Sequence, residues 1–230
     1  MALYTIGDLH LSLSVNKPMD IFGEIWRGHT EKLRESFSHL TDEDTTVLCG
    51  DSSWGISLEE ALEDFRFIDA LPGQKLLLKG NHDYWWETAA KMNAFLERND
   101  LKTIHFLHNN CYFYGDYAIC GTRGWFSDEE TSDMAHNRKV LNREVQRLEL
   151  SLRAAGEKPI LCFLHYPPMY QGYECPEILH VLQQYPVKAC YYGHLHGPGH
   201  KRAIEGNRFG IEFSLVAADY LKFQLKKICE

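Results

Sequence analysis

The chain has 230 residues, 44% hydrophobic and 24% charged, a balance that sustains a packed core and excludes wholesale disorder. Twenty-four Lys and Arg against 32 Asp and Glu leave a formal charge of −8 with no block of like charge, which excludes a nucleic-acid binder relying on a broad basic face. The seven cysteines include no C-x-x-C pair, and Cys49, Cys120, Cys162 and Cys190 sit in apolar runs, so buried reduced thiols in a reducing cytoplasm are expected.

The first apolar run, residues 2–6, reads as a buried strand and leads into Gly7-Asp8-Leu9-His10. It is not a basic region followed by a long apolar stretch, so no signal peptide is expected. No apolar run approaches the ~20 residues that span a bilayer. Residues 22–40 have a helical pattern in which Phe22, Trp26 and Leu33 recur, placing Trp26 in the core. Residues 46–49 form a second strand, ending in Gly50-Asp51. Ser57-Leu58-Glu59-Glu60 is a capping box opening a helix whose apolar face runs from Leu58 to Leu71 and which stops at Pro72-Gly73. A third strand, 75–79, leads into Gly80-Asn81-His82-Asp83, and a short helix follows Trp86.

Hairpin-like strands are expected at 103–107, 111–114 and 117–120, with turn signals at Asn109-Asn110 and Gly115-Asp116. The longest helical pattern spans 133–155, with Leu141, Val145, Leu148 and Leu152 on one face and Gly156 and Pro159 ending it. Strand 160–164 leads into His165, a short helix follows Pro176, and strand 189–192 leads into Gly193-His194-Leu195-His196. Residues 209–216 and 221–228 look like a final strand pair. With no repeat and no dividing linker, residues 1–230 read as a single domain.

Five apolar strands thus each deliver a metal-capable side chain at the carboxyl end, the edge where ligands bind in open α/β sheets. Asp8 and His10 lie two apart, as do His194 and His196, a spacing that turns both members of a pair to one side of extended chain. The glycines before Asp8, Asp51, Asn81 and His194 permit sharp turns. Imidazole, carboxylate and amide oxygen together suit Zn, Fe or Mn. Seven ligands exceed the needs of one such ion and fill two sites if one carboxylate is shared. Asp8 and Asp51 would leave two divalent ions with a net positive charge, attractive to phosphate even in an acidic protein.

D-x-H, G-D, G-N-H-D, a lone His and G-H-x-H, in this order from Asp8 to His196, resemble the calcineurin-like metallophosphoesterase superfamily. The resemblance implies a four-layer α/β/β/α sandwich of two mixed β-sheets flanked by helices, with a dinuclear metal centre and a bridging hydroxide. It implies that Asp8, His10, Asp51 and His196 hold the first metal, and that Asp51 bridges to a second completed by Asn81, His165 and His194. His82 would contact the phosphate or protonate the leaving oxygen, and Asp83 would orient a neighbouring histidine. Many relatives continue G-D-x-x-D, whereas Ser52-Ser53-Trp54 follows Asp51 here, leaving His82 without its usual acidic support.

In Gly121-Thr122-Arg123-Gly124-Trp125, Arg123 is a candidate substrate contact, as a phosphate clamp, or else one half of an ion pair. Asn16, Trp26, His29 and Trp54 are candidates for a wall facing the substrate. The expected function is hydrolysis of a small phosphomonoester or phosphodiester, with two transition-metal ions (Mn, Fe or Zn) as cofactors. Neither duplex nucleic acid nor a membrane is an expected partner. The alternatives are a nuclease acting on nucleic-acid ends and a non-catalytic scaffold on the same fold.

Overall fold

The computed structural model describes residues 1–125 and 134–230. In chain order its elements are β1 (Leu3–Ile6), α1 (His29–Phe37), β2 (Thr45–Leu48), α2 (Leu62–Ala70), β3 (Gln74–Leu77), α3 (Ala89–Arg98), β4 (Ile104–Phe106), β5 (Cys111–Tyr114), β6 (Tyr117–Thr122), α4 (Met134–Arg153), β7 (Ile160–Leu164), β8 (Met169–Tyr170), β9 (Tyr173–Glu174), α5 (Pro176–Gln183), β10 (Val187–Tyr192), β11 (Gly206–Arg208), β12 (Ile211–Leu215) and β13 (Lys226–Cys229). One mixed sheet has the order β13-β1-β2-β3-β4 and the other β11-β12-β10-β7-β6-β5, while β8 and β9 form a small ribbon. Only edge strands run antiparallel: β13 in the first sheet, β11 and β5 in the second.

Central strands buried on both faces need apolar residues at every position, and their alternation sorts these residues into three cores. Leu3, Val47, Leu76, Ile119, Leu161, Phe163 and Tyr191 fill the space between the sheets. Their neighbours Tyr4, Ile6, Leu48 and Leu77 face outward, onto Leu33 and Phe37 of α1, Phe65 and Ile68 of α2, and Phe95 of α3. On the other side Cys120, Ile160, Cys162, Cys190 and Tyr192 meet Leu148 and Leu152 of α4 and Ile178 and Leu182 of α5. Helices, sheet, sheet and helices make the α/β/β/α sandwich. Cys120, Cys162 and Cys190 pair in register on three adjacent strands, and all seven thiols are free.

Four expectations need correction. The 22–40 helix is interrupted: Gly23 (φ 126°) and Gly28 (φ 61°) break it into two short 3-10 turns followed by α1, although Trp26 is in the core. The 58–71 helix becomes regular only at Leu62. Its cap forms, with Glu60 N–H donating to Ser57 Oγ at 3.2 Å, but the Glu60 carboxylate reaches back to Ile56 N–H rather than to Ser57. The strand at 103–107 joins no hairpin, because β4 pairs with β3 in one sheet while β5 and β6 form their hairpin in the other; Asn109 (φ 62°) turns the chain between sheets. The final two strands are not partners: β12 lies beside β10, and β13 closes the edge of the opposite sheet beside β1. The 133–155 helix is present as α4, and its expected first residue lies outside the described residues. No helix among the described residues is long and apolar enough to cross a membrane.

Candidate metal centre

The five motif strands divide between the sheets: β1, β2 and β3 carry Asp8, Asp51 and Asn81, while β7 and β10 carry His165 and the His194/His196 pair. The centre therefore sits across the carboxyl edges of both sheets. Those edges are stitched together by Gly7 N–H to the Val216 carbonyl (2.7 Å) and Ala218 N–H to the Gly7 carbonyl (3.0 Å). Beyond the ends of β1 and β2 the two chains keep their ladder, with Asp8, His10 and Leu11 donating N–H groups to the Gly50, Asp51 and Ser52 carbonyls at 2.9–3.0 Å. That zipper fixes Asp8 and Asp51 side by side.

Of the paired residues only His196 lies on extended chain as expected from the spacing. Asp8, His10, Asp51 and His194 take left-handed φ values of 60°, 47°, 52° and 72°, a strained choice for residues with a side chain. The preceding glycines serve chiefly to leave room. A Cβ on Gly80 would stand 2.0 Å from Asp51 Oδ1 and 2.2 Å from Asp51 N, and one on Gly193 would stand 2.3 Å from Asp8 Oδ2. We expect Gly80→Ala to force Asp51 from its position, costing about 1–3 kcal/mol by overpacking and lowering Tm by roughly 3–10 °C, as a thermal melt would show.

All seven sequence-predicted ligands gather here. Asp8, His10 and His196 form one cluster and Asp8, Asp51 and His165 another, each with its donor atoms within 4.8 Å of one another. Asp51 Oδ2 lies 3.7 Å from His10 Nε2 and 3.5 Å from His165 Nε2, so a single carboxylate oxygen faces both halves. Asn81 Oδ1 is 2.7 Å from His165 Nε2, and the His194 ring centroid is 5.2 Å from that of His165.

Hydrogen bonds set the tautomers. His165 Nδ1 lies 3.0 Å from the Cys49 carbonyl, which can only accept, so the proton resides on Nδ1 and Nε2 turns a lone pair toward Asn81 Oδ1. His196 Nδ1 likewise donates to Asp219 Oδ1 at 2.9 Å, leaving Nε2 facing Asp8 Oδ1 (3.4 Å) and His10 Nε2 (3.4 Å). Acceptor atoms confronting one another in a buried space call for a cation between them. The chemistry of this set, three kinds of N and O donor converging from five loops, fits transition-metal ions.

The charges point the same way. Burial alone would raise Asp8, but the His196, His165 and His10 rings hold it well below the usual carboxylate range. Burial and the Asp8 charge push Asp51 well above that range. His196, despite its burial, is raised to about 10 by Asp8 and Asp219. Without metal, a proton on His196 is therefore the cation the cluster retains. A metal ion must displace it, so uptake should release protons and the apparent affinity should climb about tenfold per pH unit between pH 7 and 9. Titration calorimetry at pH 7.5 in buffers of different protonation enthalpy would read this release; metal uptake without it contradicts the assignment.

His82 borders the centre. Its ring centroid is 5.7 Å from that of His10, and its backbone N–H donates to Asp51 Oδ1 at 2.7 Å. Where relatives carry an acid, Trp54 packs instead: its ring stacks on His10 (5.0 Å) and lies 4.4 Å from His82, whose Nδ1 is buried with no hydrogen-bond partner among the described residues. Burial, with the nearby His165 and Lys17 charges, lowers His82 to about 4, so its imidazole is neutral at pH 7.

Asp83 does not orient a histidine. Its two oxygens accept N–H groups from Asp51, Ser52, Ser53 and Gly80 and from the Trp85 indole, tying the loops after β2 and β3 together. Arg123 pairs with the buried Glu144 at 3.2 Å, while its carbonyl accepts the His165 and Tyr166 N–H groups. Of the candidate wall, Asn16 and Trp54 line a groove beside His82, whereas Trp26 is core and packs edge-on to His10.

Sequence reasoning missed Asp219, which accepts from His196 Nδ1 and the Gly197 N–H (3.0 Å) and lies 3.1 Å from His200 Nε2. The signal was present: Asp219 follows a strand just as Asp8 and Asp51 do.

The sequence profile of the calcineurin-like phosphoesterase family matches residues 1–198. The chain belongs to this family. Among solved structures, a protein of unknown function from Aquifex aeolicus is similar at 15% identity and a TM-score of 0.50, over 98% of this chain and 95% of its own. A protein of Thermus thermophilus, TT1561, is similar at 13% identity and a TM-score of 0.55, over 99% and 97%. At these identities the two structures speak for the fold alone. None of the curated proteins compared is similar to the chain. In this calcineurin-like phosphoesterase the family match ends just past His196, so it covers every predicted ligand but not Asp219.

Proposed function

We propose that the protein hydrolyses a small phosphoester at two metal ions sharing Asp51. The observation that carries this reading is the single Asp51 oxygen facing His10 of one half and His165 of the other. Asp8, His10, Asp51 and His196 would hold one ion, and Asp51, Asn81, His165 and His194 the other. When bound, such ions supply Lewis acidity and acidify water enough for attack on phosphorus near neutral pH.

The chain's own residues do the rest. Asp219 and the Cys49 carbonyl keep His196 and His165 in the tautomers that turn Nε2 inward. His82, held against Trp54, presents a neutral ring donor to a phosphoryl or leaving oxygen. Beside it, Asn16, Lys17, Trp54, Ile56 and Tyr84 line a groove of about 420 Å³ that would seat the leaving group. Lys17 Nζ lies 3.6 Å from the Trp54 ring centroid, fixing that wall.

The test is release of nitrophenol from mono- and bis-p-nitrophenyl phosphate by chelated protein resupplied with Mn, Fe or Zn. Turnover of either ester is expected with metal and not without it; no turnover at any loading contradicts the proposal. His82→Ala should retain metal and lower kcat about 10²-fold or more, the scale of a lost contact to the reacting group.

A further inference from the structure

A second cavity, of about 310 Å³, opens beside the centre where α3, α4 and the ends of β3, β4 and β6 meet. Three cations line it: Lys79, Arg123 and Arg147. One buried carboxylate, Glu144, answers them. Its Oε1 receives Arg147 Nη1 at 2.6 Å and Arg123 Nη2 at 3.2 Å, and its Oε2 receives the Thr122 hydroxyl at 2.8 Å. Glu87 at the rim is paired with Lys91 at 3.2 Å. Burial and the Arg147 charge hold His108 below its ordinary range, so it adds no charge at neutral pH. Three cations against Glu144 leave +3 − 1 = +2 in a half-enclosed space.

Two donors there are also unused. The Arg123 Nε–H and the Trp86 indole N–H are buried without a hydrogen-bond partner among the described residues, and both residues line the cavity. Leaving a buried donor unpaired is costly, and neither group can accept. An anion in the cavity offsets the excess charge, and it is the kind of partner that these two donors lack.

We propose that this cavity is an anion site, distinct from the metal centre, that takes a phosphate group. Guanidinium groups match phosphate oxygens, and Lys79 supplies a further point charge. Arg123 joins the two sites, because its carbonyl accepts the N–H groups of His165 and Tyr166. The phosphate belongs either to a substrate bearing two anionic groups or to a separate anion; the latter source leaves hydrolysis of simple esters unaffected.

Binding is tested independently of the hydrolytic reading, by calorimetric titration of inorganic phosphate into protein with metal and after chelation. Saturable binding should survive chelation and weaken about tenfold or more in Arg147→Gln and Lys79→Gln, each lacking a charged donor. Loss of all binding on chelation, or variants that bind as wild type, would overturn the proposal. Because Arg147→Gln also removes the 2.6 Å partner of the buried Glu144, a thermal melt controls for its fold, and Lys79→Gln, which leaves that pair in place, serves as the second readout. The kinetic arm does rest on the hydrolytic reading. A substrate with a second phosphate should show a raised KM in Arg147→Gln while p-nitrophenyl phosphate does not; unchanged KM for both, with phosphate binding lost, assigns the site to a separate anion.

Discussion

Asp51→Asn should lose at least about 10³-fold in metal-dependent turnover while keeping the fold, because several kcal/mol of transition-state stabilisation by metal would go with it. The expectation follows from position. Asp51 Oδ2 is the atom within 3.7 Å of His10 and 3.5 Å of His165, and asparagine halves the chance of presenting an oxygen there and removes its charge in any orientation. The variant should also take up less metal, because the anion proposed to be shared by two ions would be gone. Its stability without metal should not fall, since burial and Asp8 already push the Asp51 carboxyl toward its neutral form. Metal content by plasma emission, turnover and a thermal melt separate these effects; near wild-type turnover would contradict the central role of this carboxylate.

Asp83→Asn should be the most destabilising conservative change in the loops around the centre. Both aspartate oxygens accept: Oδ1 from Ser52, Ser53 and the Trp85 indole, Oδ2 from Asp51 and Gly80. An amide must turn its NH₂ toward one of these sets, leaving at least two buried N–H groups facing another donor. At about 1–3 kcal/mol each the loss is roughly 2–6 kcal/mol, a Tm fall on the order of 10 °C in a chain of this size. Activity should fall too, by about 10–100-fold, because Asp83 fixes the loops that carry Asp51 and Asn81. A melt within 2 °C of wild type, against the expected ~10 °C, would show these bonds contribute little.

The candidate ligands stood out in the sequence because each motif marks an abrupt change from an apolar strand to metal-capable polar residues, with a glycine at the change in every motif but that of His165. The distribution of strands was less so. Periodicity shows that β1 and β7 are buried, but not which sheet each joins, and β12 and β13 read as partners because they are consecutive. The 22–40 helix failed on local grounds, since Gly23 and Gly28 take left-handed or open φ values that an apolar pattern does not register. The residues around the ligands were the hardest to read. Asp83 sits in a motif that suggests a histidine partner, and only the folded loops show it bound to backbone N–H groups. Trp54 reads as a departure from the family pattern, and only the folded chain shows its ring packed 4.4 Å from that of His82, with no acceptor for His82 Nδ1 among the described residues.

The most direct test is element-specific anomalous scattering from crystals of the metal-replete protein. The account predicts two peaks per chain, both within bonding reach of Asp51, one beside His10 and His196 and the other beside Asn81, His165 and His194. A single peak, or two peaks that do not share Asp51, would contradict it.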